Sequence, residues 1–177
     1  MPLLVLAVEK TREIDTALAE EFLRIAAALR RPEGYKVALV VYGEGAVPLL
    51  DPTDRWELLP EAFDQAPLLG KSADLLEALR EVREMAELEE EPWGALILWS
   101  AAVRPRFKVE LALRFLQRMG VAYKVLVLRP SLPGWARYHG ELAEAVTYRN
   151  NMNMEKLYLK LTEELERAAL GVRGVEA

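Results

Sequence analysis

Cysteine is absent from the 177-residue chain, and histidine occurs once, at His139. Disulfides, thiolate nucleophiles, thiolate zinc sites and iron–sulfur clusters are therefore excluded, as is any mechanism that needs two imidazoles. No apolar run approaches the ~18 residues of a membrane-spanning helix, so no membrane partner is expected. The chain also lacks a basic excess: Lys and Arg total 23 against 28 Asp and Glu, for a net charge of −5. Tight nucleic-acid binding draws on counterion release over a broad basic face, so nucleic acid is not an expected partner.

What remains describes a soluble globular chain, with 52% hydrophobic and 29% charged residues. A chain of this length can bury roughly 70% of its unfolded surface and needs no staple. We read residues 1–170 as one domain and 171–177 as a loose tail. The run Met1 to Val8 has no basic segment before it and is read as a strand, not a signal peptide. A cytoplasmic location is expected. The wealth of Leu, Ala, Glu and Arg hints at a thermophile.

Continuous β-capable runs at 3–8, 36–42, 94–99 and 122–128 predict strands buried on both faces. Between them lie helical stretches. Ile14, Leu18, Phe22, Ile25 and Leu29 form one apolar stripe, and Leu75, Leu79, Val82 and Ala86 another. Further helices are predicted at 54–64, 106–119, 135–143 and 153–169, with a weak strand at 145–148. The loop 51–54 is expected to end in a cap at Asp54. Gly43-Glu44-Gly45 is short enough to force an antiparallel return strand at 46–50, and Pro48 puts that strand at the sheet edge. The stripe of the last helix suits packing on the sheet, with homo-oligomer formation as its alternative use.

The phrase VALVVYGEGAVPLLDPTDRWELLPEAFDQAPLLGKSADLLEAL, from Val37 to Leu79, resembles the von Willebrand factor A (vWA) domain in its run of strand, hairpin, short helix, glycine turn and long helix. GELAEAVTYRNNMNMEKLYLKLTEEL is similar to that family's final helix, strand and helix. The likeness spans about residues 3–169. It implies an α/β fold, a doubly wound, mostly parallel six-stranded sheet in the order 3-2-1-4-5-6 with one antiparallel edge strand and helices on both faces.

The family's metal-ion-dependent adhesion site is built from three loops, and the resemblance matches each to a phrase here. Glu9-Lys10-Thr11-Arg12-Glu13 stands where the family has D-x-S-x-S. Ser72, in Gly70-Lys71-Ser72, stands where the family has a threonine, and Ser100, in Trp99-Ser100-Ala101, where it has an aspartate. Mg²⁺ demands near-ideal octahedral oxygen geometry. Glu9 is a methylene longer than aspartate, Ser100 brings no charge, and Lys10, Arg12 and Lys71 bring cations. Glu9, Thr11, Glu13, Ser72 and Ser100 are therefore expected to be vestigial positions, with no cofactor and no bound Mg²⁺.

Other signals have plainer readings. Gly70-Lys71-Ser72 resembles part of a P-loop, but Gln65 stands where that motif needs its first glycine. His139 has no Gly-x-Ser-x-Gly phrase to serve, so it is read as a surface or packing residue. Glu9, Glu13 and Asp74 are expected to pair with Lys10, Arg12 and Lys71 or to cap helices. Trp99 is expected to pack at a strand end, and Trp135 is either an interface anchor or a lid.

Lys10, Arg12, Lys71, Arg104, Arg106 and Arg129 all follow predicted strands or open helices. In a doubly wound sheet such positions gather on one edge. The expected function is non-catalytic: a protein-interaction (adaptor or scaffold) module that holds an acidic partner through Lys10, Arg12, Lys71, Arg104 and Arg106. The resemblance implies partners such as AAA ATPases or larger complexes. The alternatives are metal-dependent adhesion through a variant site and an anionic small-ligand binder or enzyme at the same edge.

Overall fold

The computed structural model describes residues 1–106, 108–138, 145–149 and 151–176. Four parallel strands are the apolar runs read from the sequence: β1 (Leu3–Glu9), β2 (Lys36–Tyr42), β4 (Pro92–Trp99) and β5 (Ala122–Val127). β3 (Ala46–Thr53) returns antiparallel beside β2, and the short β6 (Val146–Thr147) adds parallel to β5. The strand order is β3-β2-β1-β4-β5-β6, the order expected.

Every residue of β1 is buried, because helices cover both sides of the sheet. The alternating side chains of β1 divide the core. Leu4, Leu6 and Val8 join a cluster with α1 (Thr16–Leu29), α2 (Leu59–Gln65) and α5 (Met154–Glu176). Leu3, Val5 and Ala7 join the opposite cluster, beneath α3 (Leu75–Leu88) and α4 (Lys108–Arg118). Phe22 of α1 meets Tyr158 of α5 edge-on with ring centroids 5.3 Å apart, which closes the first cluster between those helices.

Asp15 caps α1 by accepting the Leu18 N–H, and Asp74 caps α3 by accepting the Leu76 N–H. The stretch read as a loop at 51–54 differs. β3 continues to Thr53, whose hydroxyl accepts the Arg55 N–H, and the turn that follows has no side-chain cap from Asp54. A 3₁₀ turn at Trp56–Leu58 then leads into α2. The sequence pattern missed this because Pro48 and Pro52 interrupt the apolar alternation, yet an edge strand tolerates proline where its N–H is not needed. α5 runs to Glu176, beyond the stripe at 153–169 and through the segment read as a tail. Only Gly134–Tyr138 of the helix predicted at 135–143 is described, as a 3₁₀ turn. His139 lies outside the described residues.

Candidate functional site at the carboxyl edge of the sheet

Strand order reverses between β1 and β4: the chain winds outward from β1 to β2 and, on the other side, from β4 to β5. A crevice between the loops that follow such strands is where doubly wound sheets bind ligands. Glu9 is the last residue of β1, and Ser100 directly follows β4. The register Val8↔Leu98 sets them side by side.

Glu9 is 0% exposed, and its carboxylate is surrounded by donors. Ser100 donates its N–H to Oε1 at 2.9 Å, and its hydroxyl lies 2.9 Å from both Oε1 and Oε2. Thr11 donates its hydroxyl to Oε2 at 2.5 Å. Both hydroxyls are themselves acceptors: Thr11 Oγ1 takes the Glu13 N–H at 3.3 Å, and Ser100 Oγ takes the Ala102 N–H at 3.3 Å. Burial raises the Glu9 pKa above its ordinary value, the hydrogen bonds from Thr11 and Ser100 oppose that rise, and the negative charge of Glu13 adds to it. Tyr42, paired with Glu9 in the sheet, is also raised, first by burial and then by the Glu9 charge. Its hydroxyl donates to Leu98 O at 2.7 Å.

Lys10 corrects an expectation. It was read as a rim cation, but only 6% of it is exposed. Adjacent residues at a strand end point to opposite faces, so Lys10 turns away from Glu9 and into the α2 side. Its ammonium donates to Phe63 O at 2.5 Å, near the carboxyl end of α2, and sits 4.3 Å from the Phe63 ring centroid. The pairing of Glu9 with Lys10 considered from the sequence is thus absent.

The second loop is laced on by backbone. Leu69 N–H donates to Lys10 O at 2.8 Å, Glu44 N–H to Leu69 O at 2.7 Å and Asp74 N–H to Gly43 O at 3.2 Å. Gly43 is required here, because a Cβ would lie 2.2 Å from Leu69 O. Glu44, which the sequence reading passed over, packs under Gly70 and accepts the Lys71 N–H at 3.3 Å. Its only signal was its place between two glycines.

Ser72 makes no described hydrogen bond to Glu9. It lines a separate cleft of about 320 Å³ with Glu44, Asp74, Glu77, Arg104 and Arg106. Asp74 pairs there with Arg106 at 2.5 Å. Arg12, Lys71, Arg104, Arg106 and Arg129 are all exposed around this edge. Arg129 also donates to the carbonyl of Ala101, whose φ of 57° bends the loop after β4. Leu68 and Val103 add exposed apolar side chains, at 52% and 41%. Trp99 is buried at its strand end, with Trp135 tilted against it at 5.7 Å. Trp135 is partly buried against that cluster.

These residues suit a divalent cation poorly. Among the described residues, Glu9 is the one carboxylate seen to hydrogen-bond across the first and third loops, and hydrogen bonds already reach both its oxygens. Among the described residues, no group of three or more His, Cys, Asp or Glu is placed to hold a metal ion.

The architecture has known counterparts. An aerotolerance-related membrane protein from Bacteroides fragilis superposes with a TM-score of 0.72 at 12% identity, over 94% of this chain and 100% of its own. BatB from Bacteroides thetaiotaomicron gives 0.73 at 10% identity, over 96% and 99%. The von Willebrand factor type A protein from Catenulispora acidiphila gives 0.68 at 12% identity, over 94% of this chain and 42% of that one. The chain has a vWA-like fold. Its sequence matches no family model and no curated protein. The vWA-like topology puts the loops after β1 and β4, and the turn before α3, on one edge. No described helix is long and apolar enough to cross a membrane.

Proposed function

We propose that this vWA-like domain is a non-catalytic, metal-independent protein-interaction module whose carboxyl sheet edge receives an acidic segment of a partner protein. The observation that carries the reading is the charge contrast. The chain as a whole has a net charge of −5, yet this edge exposes Arg12, Lys71, Arg104, Arg106 and Arg129; its carboxylates are the exposed Glu13, Asp15 and Glu44 and the partly buried Asp74 and Glu77, of which Asp74 already pairs with Arg106. Local potential of one sign steers and orients a partner of the other. Leu68 and Val103 give such a segment apolar contacts beside the cations.

Catalysis finds little support here. Thr11 and Ser100, whose hydroxyls donate to Glu9, are themselves buried at 1% and 6% exposure, so neither presents an open nucleophile at the edge. A cytoplasmic setting is part of the same proposal. The partner class implied by the resemblance, an AAA ATPase or another large assembly, fits an exposed charged edge.

Affinity capture from source-organism extract, followed by mass spectrometry, tests the reading. The wild type should recover a partner, and the doubly reversed Lys71→Glu, Arg104→Glu protein should not. Equal recovery by both would remove the edge from the account.

A further inference from the structure

We propose that the Glu9 carboxylate substitutes for a divalent ion, tying the β1–α1 and β4–α4 loops together from within the protein. The inference rests on the metal-independent reading above and deepens it. A metal ion joins loops by drawing oxygen lone pairs inward. The arrangement around Glu9 has the opposite polarity. The Thr11 and Ser100 hydroxyls turn their protons toward the centre, and the Ser100 N–H joins them. Their lone pairs face outward, to the N–H groups of Glu13 and Ala102. A hydroxyl has one proton and two acceptor lone pairs, so each of these spends its proton on Glu9 and one lone pair on a backbone N–H. A cation in the same space would need both protons turned away from Glu9, giving up the hydroxyl hydrogen bonds to its carboxylate.

The extra methylene of Glu9 also has a use in this arrangement. It carries the carboxylate past the end of β1 to reach both Thr11, two residues on, and Ser100, across the strand junction. One side chain thereby fixes the backbone of two loops. The positive φ of Ala101, next to Ser100, is held within the same constraint.

Amide hydrogen exchange, followed by NMR on the full chain, tests this without any partner. In the wild type, protection of the Ser100 and Ala102 amides should be the same in EDTA and in excess Mg²⁺ or Mn²⁺. Glu9→Ala should lower Ser100 protection on the order of tenfold, the loss expected for an unmade buried hydrogen bond. Glu9→Asp keeps the charge in a milder substitution, and should also expose Ser100 while the core amides of β1 stay protected. Thr11→Val should loosen the Glu13 amide, and Thr11→Ser should restore it. Unchanged Ser100 protection in both Glu9 variants, with no ion effect, would overturn the substitution alone. A rise in wild-type Ser100 protection on adding Mg²⁺ or Mn²⁺ would overturn the metal-independent reading with it.

Discussion

The two sides of the carboxyl rim treat charge in opposite ways. On the β1–β4 side, Glu9 is fully buried and its oxygens are spent on Thr11 and Ser100. On the α3–α4 side, Arg104 and Arg106 are exposed beside an open cleft, Arg106 paired with Asp74, and Lys71 is exposed next to Ser72. A buried polar group with all its partners specifies one shape and is costly to disturb. An exposed charge contributes little to stability. The first side keeps the rim in place, and the second is the side that the proposed function gives to a partner.

That contrast can be broken most severely at the hinge between the sides. Gly43→Ala should destabilise the protein by about 3 kcal/mol, because its Cβ would overlap Leu69 O at 2.2 Å and Thr11 Cγ2 at 2.9 Å. Chemical denaturation gives the value. Lys10→Ala comes next, at about 2 kcal/mol, since it strips a charged donor from the last carbonyls of α2 and exposes Phe63.

The buried carboxylate has a pH signature. Its folded-state pKa lies above 4.5, so the native state holds the Glu9 proton more tightly than the unfolded chain does. The associated stability is fully present below 4.5 and declines as pH rises through the raised folded value. The difference between wild type and Glu9→Gln, measured by denaturation across that window, should show this slope. Smallest of all, reversing Lys71 and Arg104 should shift stability by no more than about 0.5 kcal/mol each, although it abolishes capture.

Much of this arrangement is legible in the chain itself. Runs such as Lys36 to Tyr42 have no polar alternation, and only a strand covered on both faces accommodates them. The Gly43-Glu44-Gly45 link dictated an antiparallel edge. The chemistry of the rim was harder to read. Thr11 and Ser100 are visible as hydroxyls near a carboxylate, but sequence does not say which way their protons point. Lys10 was misplaced because charge alone suggested solvent, while the period of two at a strand end sent it inward. Glu44 was missed because its role depends on Gly70, which is distant in sequence and adjacent in space. Ser72 follows a glycine turn as expected, yet faces the cleft with Arg104 and Arg106.

The most direct test of the whole account is partner capture by the wild-type protein with and without EDTA, alongside the Lys71→Glu, Arg104→Glu protein. The account predicts equal recovery in chelator and none with the reversed charges. Recovery that vanishes in EDTA and returns with Mg²⁺ would contradict it.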